Sequence, residues 1–156
     1  MTRDDVPSPD CPLALRVNAN VPMAHVVDVD HSARFYALLG YACDSRFAGA
    51  DGVANWCALS SGQARLFLVR ATGKPVAEQQ GVLFYMYSAD VRGLRAHLLA
   101  HGIADGGTPP GEGGTWQRTV DEGAAVFTVV PRFFMPSGEL RVHDPDGYVI
   151  LIGQLG

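Results

Sequence analysis

Apolar and polar residues follow two periods along this chain, and the switches between them mark the elements. Residues 15–27 (LRVNANVPMAHVV) read as a strand, with Pro22 favouring an edge or a bulge. Asp28 to Leu39 reads as a helix. Asp28 or Asp30 is placed to cap it, Phe35, Leu38 and Leu39 give it an apolar side, and Gly40 stands where a left-handed cap belongs. Three strand-like runs follow, Tyr41–Phe47, Val53–Leu59 and Ala64–Arg70, parted by Gly49–Gly52 and Ser60–Gly62. Residues 71–80 (ATGKPVAEQQ) look like a linker. Gly81–Tyr87 is again a strand. Asp90–His101 is a helix with Val91, Leu94 and Leu98 on one side and Gly102 after it. Ile103–Asp105 begins a strand, residues 106–114 are a loop, and Trp116–Val130 is partly β-like. The chain then runs into ELRVHDPDGYVILI (139–152), whose pattern predicts a β-hairpin. Asp144-Pro145 opens its turn and Asp146-Gly147 closes it, since proline presets φ and glycine accepts positive φ.

The order of elements repeats. Asp28-Val29 and Asp90-Val91 each open a helix, and each helix is followed by glycine at the same distance. That offset pairs Val21 with Leu83, Met23 with Tyr85 and His25 with Tyr87. The last strands align through Gly62 and Gly147, which sets Leu66 against Leu151. A duplicated β-α-β-β-β unit accounts for this order, with residues 106–127 as an insertion in the second copy. The expected division is an N-terminal arm over residues 1–14 and one α+β domain over 15–156. Within it, module one spans 15–71, a linker 72–80 and module two 81–154.

Composition narrows the partners. Among 156 residues, 47% are hydrophobic and 18% charged, which suits an ordinary globular domain with a core. A net charge of −4, with both signs mixed along the chain, argues against nucleic acid and against an anionic membrane; it agrees weakly with a cationic ligand. No apolar run approaches the ~18 residues that span a bilayer. The polar, proline-bearing start is not that of a signal peptide, and three scattered cysteines make a poor disulfide framework, so a cytoplasmic location is expected. No glycine-rich phosphate loop or Ser-His-Asp ordering stands out.

Three segments, VVDVDHSARFYALLGY (26–41), GVLFYMY followed by ADVRGLRAHLLAHGI (89–103), and ELRVHDPDGYVILI (139–152), together resemble the glyoxalase / bleomycin resistance protein / extradiol dioxygenase superfamily, the vicinal oxygen chelate proteins. The likeness spans roughly residues 15–154. It implies two tandem βαβββ modules that form a half-open, barrel-like cup, and a homodimer is expected. In metal-dependent relatives, four His, Glu or Gln ligands point into the cup from the first and last strands of each module. Carried onto this chain, those positions are Val21, Leu66, Leu83 and Leu151. Aliphatic side chains offer a divalent cation no donor, and a one-residue slip brings in no His or carboxylate. No metal and no cofactor are therefore expected.

Alternation along the strands places Val21, Met23, His25 and Val27 on the cup face, with Leu83, Tyr85 and Tyr87 opposite. The last strands would add Ala64, Leu66, Leu68, Val149, Leu151 and Gly153. Met23, His25, Trp56, Tyr85, Tyr87, Trp116 and Arg141 are the candidate ligand contacts. The aromatic residues among them either stack on a ligand or simply fill the cup. His25 either orients a ligand, acts as a base, or is a satisfied strand histidine. Arg141 pairs with Asp144 or Asp146 or clamps an anion. His143 fits a solvated hairpin edge, and residues 106–127 fit a lid. Three functions follow. A metal-free protein that sequesters an aromatic or cationic small molecule is preferred. A lyase, isomerase or dioxygenase with atypical ligands (His25 with His143 or Glu139) is the second, and a metal-free enzyme with His25 as base the third.

Overall fold

The computed structural model describes residues 11–75, 79–109 and 123–156. Among these residues are two α-helices and ten strands, the strands forming two separate sheets. The first sheet has the order β1 (Met23–Val26), β4 (Ala64–Arg70), β3 (Ala54–Ser61), β2 (Ala42–Ala48). The second runs β5 (Phe84–Tyr87), β10 (Val149–Gly153), β9 (Met135–His143), β7 (Ala125–Phe127), β6 (Ala104–Gly107), and β8 (Val130–Arg132) pairs with β9. In both sheets the first strand lies parallel to the last, β1 on β4 and β5 on β10, and every other pairing except β6–β7 is antiparallel. This is a mixed α+β fold built on two β-α-β-β-β units, neither sheet closing on itself.

The helices begin where their caps dictate. The Asp28 carboxylate accepts from the His31 backbone N–H at 2.9 Å and opens α1 (Val29–Leu38). Asp90 does the same for Gly93 at 2.8 Å and opens α2 (Val91–Ala100). Each cap satisfies a donor the first helical turn would leave orphaned. Gly40 and Gly102 follow with φ of 94° and 86°, which side chains resist.

One core joins the two units. Val29, Phe35 and Tyr36 of α1 and Val91 and Leu98 of α2 are buried with Ala24, Val26, Leu59, Leu66 and Leu68 of the first sheet and Leu140, Val142, Ile150 and Ile152 of the second. The DPDG turn clamps the halves. Asp146 accepts from the Val27 backbone N–H at 2.9 Å and from Ser32 Oγ at 3.2 Å; Asp144 accepts from the Tyr36 hydroxyl at 2.8 Å. These donors offset the cost of burying two carboxylates. Arg141, for which pairing with either aspartate was one expectation, instead donates from Nε to His143.

Several boundaries differ from expectation. The strand expected over residues 15–27 is only Met23–Val26. Residues 16–22 lie outside any strand and are exposed, apart from a partly buried Val21; Pro22 accepts from the Phe67 N–H of β4 at 2.9 Å, and Leu13–Leu15 makes a single 3-10 turn. The strand expected over 81–87 begins at Phe84. The expected linker is not passive: Gln80 accepts from the Val149 N–H at 2.8 Å and so holds the start of β10. The loop and lid expected over 106–127 lie largely outside the described residues, as does Trp116.

Candidate functional site

Strand register decides which side chains share a face. On β1, Ala24 and Val26 are buried toward the helices, so Met23 and His25 occupy the opposite, open face. Their parallel partners on β4 are Phe67 and Val69. Trp56 on β3 lies across from Val69, and Phe47 on β2 lies across from Trp56. The Trp56 and Phe67 rings sit 5.1 Å apart. The first sheet thus presents an apolar open face, with Met23 53% and Phe47 65% exposed.

Ala64, Leu66 and Leu68 were expected on this face, and the structure corrects that. Leu66 and Leu68 are buried in the helix-side core, and Phe67 is the structural counterpart of Leu151. The slip comes from turn length. Between β3 and β4 only Gly62 and Gln63 intervene, because Ser61 pairs with Ala64. Between β9 and β10 five residues intervene, because His143 pairs with Val149. Aligning the two strands on their turn glycines shifts one strand by a residue, and a one-residue shift flips every side chain to the other face.

The second sheet is different in kind. Tyr85, Leu151 and Arg141 form one row across β5, β10 and β9; Tyr87, Gly153 and Glu139 form the next. Gly153 has no side chain, so the Tyr85 hydroxyl passes over it to donate to Glu139 Oε2 at 3.0 Å. A Cβ at Gly153 would stand 2.9 Å from that hydroxyl and 2.7 Å from Met135 Cε. Arg132 Nε donates to the other Glu139 oxygen at 3.4 Å. Burial, and then the hydrogen bond to Glu139, push the Tyr85 hydroxyl up to about 12, so it stays a donor at neutral pH. Arg141 Nε donates to His143 Nε2 at 3.0 Å, and burial lowers the Arg141 pKa against the pull of Glu139. His143 was expected at a solvated edge. It is instead fully buried, its ring 4.9 Å from Phe127, because β7 and β10 flank β9 on both sides. Arg132 was not singled out from the sequence, and Glu139 was named only as an atypical metal ligand beside His25, not as the partner of Tyr85. The two lie on different strands, β8 and β9, so no alternation along one strand joins them.

A cavity of about 850 Å³ lies where the two units adjoin. It runs along the outer edge of β5, beside which no described strand lies, and takes in every residue from 82 to 88. Tyr41, Tyr85 and Tyr87 contribute phenol rings, and the β3–β4 turn contributes Gln63 and Arg65. The Tyr41 hydroxyl lies 3.6 Å from Met86 Sδ, and burial raises its pKa. Of the expected contacts, Tyr85 and Tyr87 line this cavity; Met23, His25, Trp56 and Arg141 do not. His25 is exposed on the first sheet, and its carbonyl accepts from the Tyr148 hydroxyl at 2.8 Å.

The donor set does not fit a metal. Val21, Phe67, Leu83 and Leu151 occupy the register positions of the two first and two last strands, and none carries an oxygen, nitrogen or thiolate donor. His25 is not brought to His143 or Glu139, which lie buried on the other sheet. No group of three or more His, Cys, Asp or Glu among the described residues is placed to hold an ion. Nor is any helix among them long and apolar enough to cross a membrane.

This geometry has known counterparts. A bleomycin-binding protein solved with bleomycin superposes with a TM-score of 0.60 at 18% identity, over 90% of this chain and all of that one. A bleomycin resistance determinant encoded on transposon Tn5 gives 0.62 at 17%, over 88% and 98% of the two chains. The fold is the one these proteins share. A glyoxalase family protein from Enterococcus faecalis shares it too, with a TM-score of 0.60 at 11% identity over 91% of this chain. No protein-family model and no curated protein sequence matches the chain.

Proposed function

We propose that this protein binds a small aromatic molecule in the cavity along β5 and sequesters it, without a metal and without transforming it. The observation that carries this reading is the cavity itself. Its volume of about 850 Å³ suits a drug-sized ligand, and it joins an apolar wall to three phenols and a few polar groups. The absence of donors at the four register positions supports binding over Lewis-acid chemistry. That a protein of the same fold was solved with bleomycin supports the same reading. His25 lies away from the cavity, so nothing there favours it as a base. A cytoplasmic homodimer is part of the proposal, since the open face of the first sheet leaves Met23, Val27 and Phe47 largely exposed.

Elemental analysis of untagged protein, together with thermal-shift titration against bleomycin and a panel of polycyclic aromatic compounds, tests this. The expected result is substoichiometric metal, and at least one compound that raises the melting temperature of the wild type but not of a Tyr85→Ala, Tyr87→Ala double variant. Stoichiometric metal, or stabilisation that survives the double substitution, overturns it.

A further inference from the structure

The whole chain is acidic, but the described lining of the cavity is not. Among the described residues no aspartate or glutamate lines it, and Arg65 is the one charged residue that does. The guanidinium is held at the mouth, where one Nη donates to the Gly62 and Ala64 carbonyls at 2.8 and 2.9 Å. Its Nε and second Nη bond to no described residue, so two donors remain for a ligand. The acids nearby are already engaged. Glu139, reached through the Tyr85 hydroxyl, faces Arg132 and has Arg141 beside it on β9. Asp44 accepts from Ser60, the residue opposite Arg65, and sits one strand further out on β2. Its carboxylate is thus taken up by Ser60, which stands between it and Arg65. Net charge therefore misstates the local field.

We propose that the ligand of this cavity is an aromatic compound bearing an anionic group, a carboxylate or sulfonate, received by Arg65, with its ring system against Tyr85 and Tyr87. This rests on the binding reading above and reverses the preference for a cation that net charge suggests. A planar guanidinium matches a carboxylate with two parallel donors. An ammonium at the same place would meet a cation and no acceptor of opposite sign. The three phenols serve either ligand equally and so do not decide the sign.

Three probes of one shape separate the possibilities: 2-naphthoate, 2-naphthylmethanol and 2-naphthylmethylammonium, titrated calorimetrically into the wild type and Arg65→Gln. Arg65 is exposed, and the backbone pairing of Ser61 with Ala64 that closes the turn does not depend on its side chain. The naphthoate is expected to bind about tenfold or more tightly than the ammonium compound, and to weaken as salt is added. Arg65→Gln is expected to remove that preference and leave the alcohol unchanged. Equal or tighter binding of the ammonium compound, or equal losses for all three probes in the variant, overturns the assignment while the binding reading stands. Failure of all three to bind folded wild-type protein overturns both.

Discussion

At the scale of single residues, the open face of the second sheet turns on Gly153. Its missing side chain is the passage by which Tyr85 reaches Glu139, and Met135 fills the rest of the space. Gly153→Ala forces a methyl group against the Tyr85 hydroxyl and Met135. Overpacking of this kind costs about 1–3 kcal/mol. We expect a melting temperature lower by several degrees, and a Tyr85 fluorescence and titration that no longer report a partnered hydroxyl. An unchanged melting temperature, with the Tyr85 signature intact, contradicts this account. Tyr85 and Tyr87 were legible in sequence because alternation sets them on one face of a short strand. The bond from Tyr85 to Glu139 across Gly153 was not, since the contact spans 54 positions and depends on what a glycine leaves empty. His143 was misjudged for a related reason. A residue beside a turn reads as edge, but here strands on both sides enclose it.

Elements are where sequence spoke most clearly. Asp28, Gly40, Asp90 and Gly102 bracket both helices within two residues of the observed ends, because caps act through neighbours in the chain. The last strand of the first unit was misread by one residue because strand phase depends on turn length, and the two hairpins have different turns. The DPDG turn shows what lies between these cases. Its residues announce a turn, but not that its carboxylates dock on α1. That docking makes stability depend on pH. Burial is the main cause that pushes Asp144 up to about 7, and the nearby Asp146 charge adds to it against three hydrogen bonds. Unfolded, the group ionises near pH 4. The raised folded pKa means that the folded state keeps a proton the unfolded state has released. The contribution is fully present below pH ~4 and is lost as pH rises to about 7, at up to about 1.4 kcal/mol per pH unit. Asp144→Asn, which resembles the protonated acid, should therefore gain on the wild type as pH rises through that window. Denaturant melts of both proteins at intervals across it would show this as a widening difference; a constant difference would mean Asp144 is ionised in the fold throughout.

On the scale of the whole molecule, the helix-side faces of both sheets are spent on one shared core, which leaves the open face of the first sheet uncovered. Met23, Phe47, Trp56 and Phe67 form its apolar patch, and a second copy of the chain would remove it from water. Sedimentation analysis should find a dimer for the wild type. Phe47→Glu, a change at an exposed position that the fold tolerates, should weaken the dimer by at least tenfold while leaving the circular dichroism unchanged. A wild-type monomer, or a variant that dimerises as tightly, contradicts this assembly.

Composition, element order and the duplicated unit were present in the sequence, because each rests on local propensity or on a period that the chain carries within itself; the cup-like fold was an expectation from the family resemblance of residues 26–41, 81–103 and 139–152. The side chains at the four positions named by the resemblance carry no donor in either the expected register or the observed one. Only the tertiary structure decided where the cavity lies, which expected contacts share it, and what charge it presents. Those properties depend on turn lengths, on the free edge of β5, and on which distant acids are already paired. A count of charges along a chain holds no distances, and the field inside a cavity is made of distances.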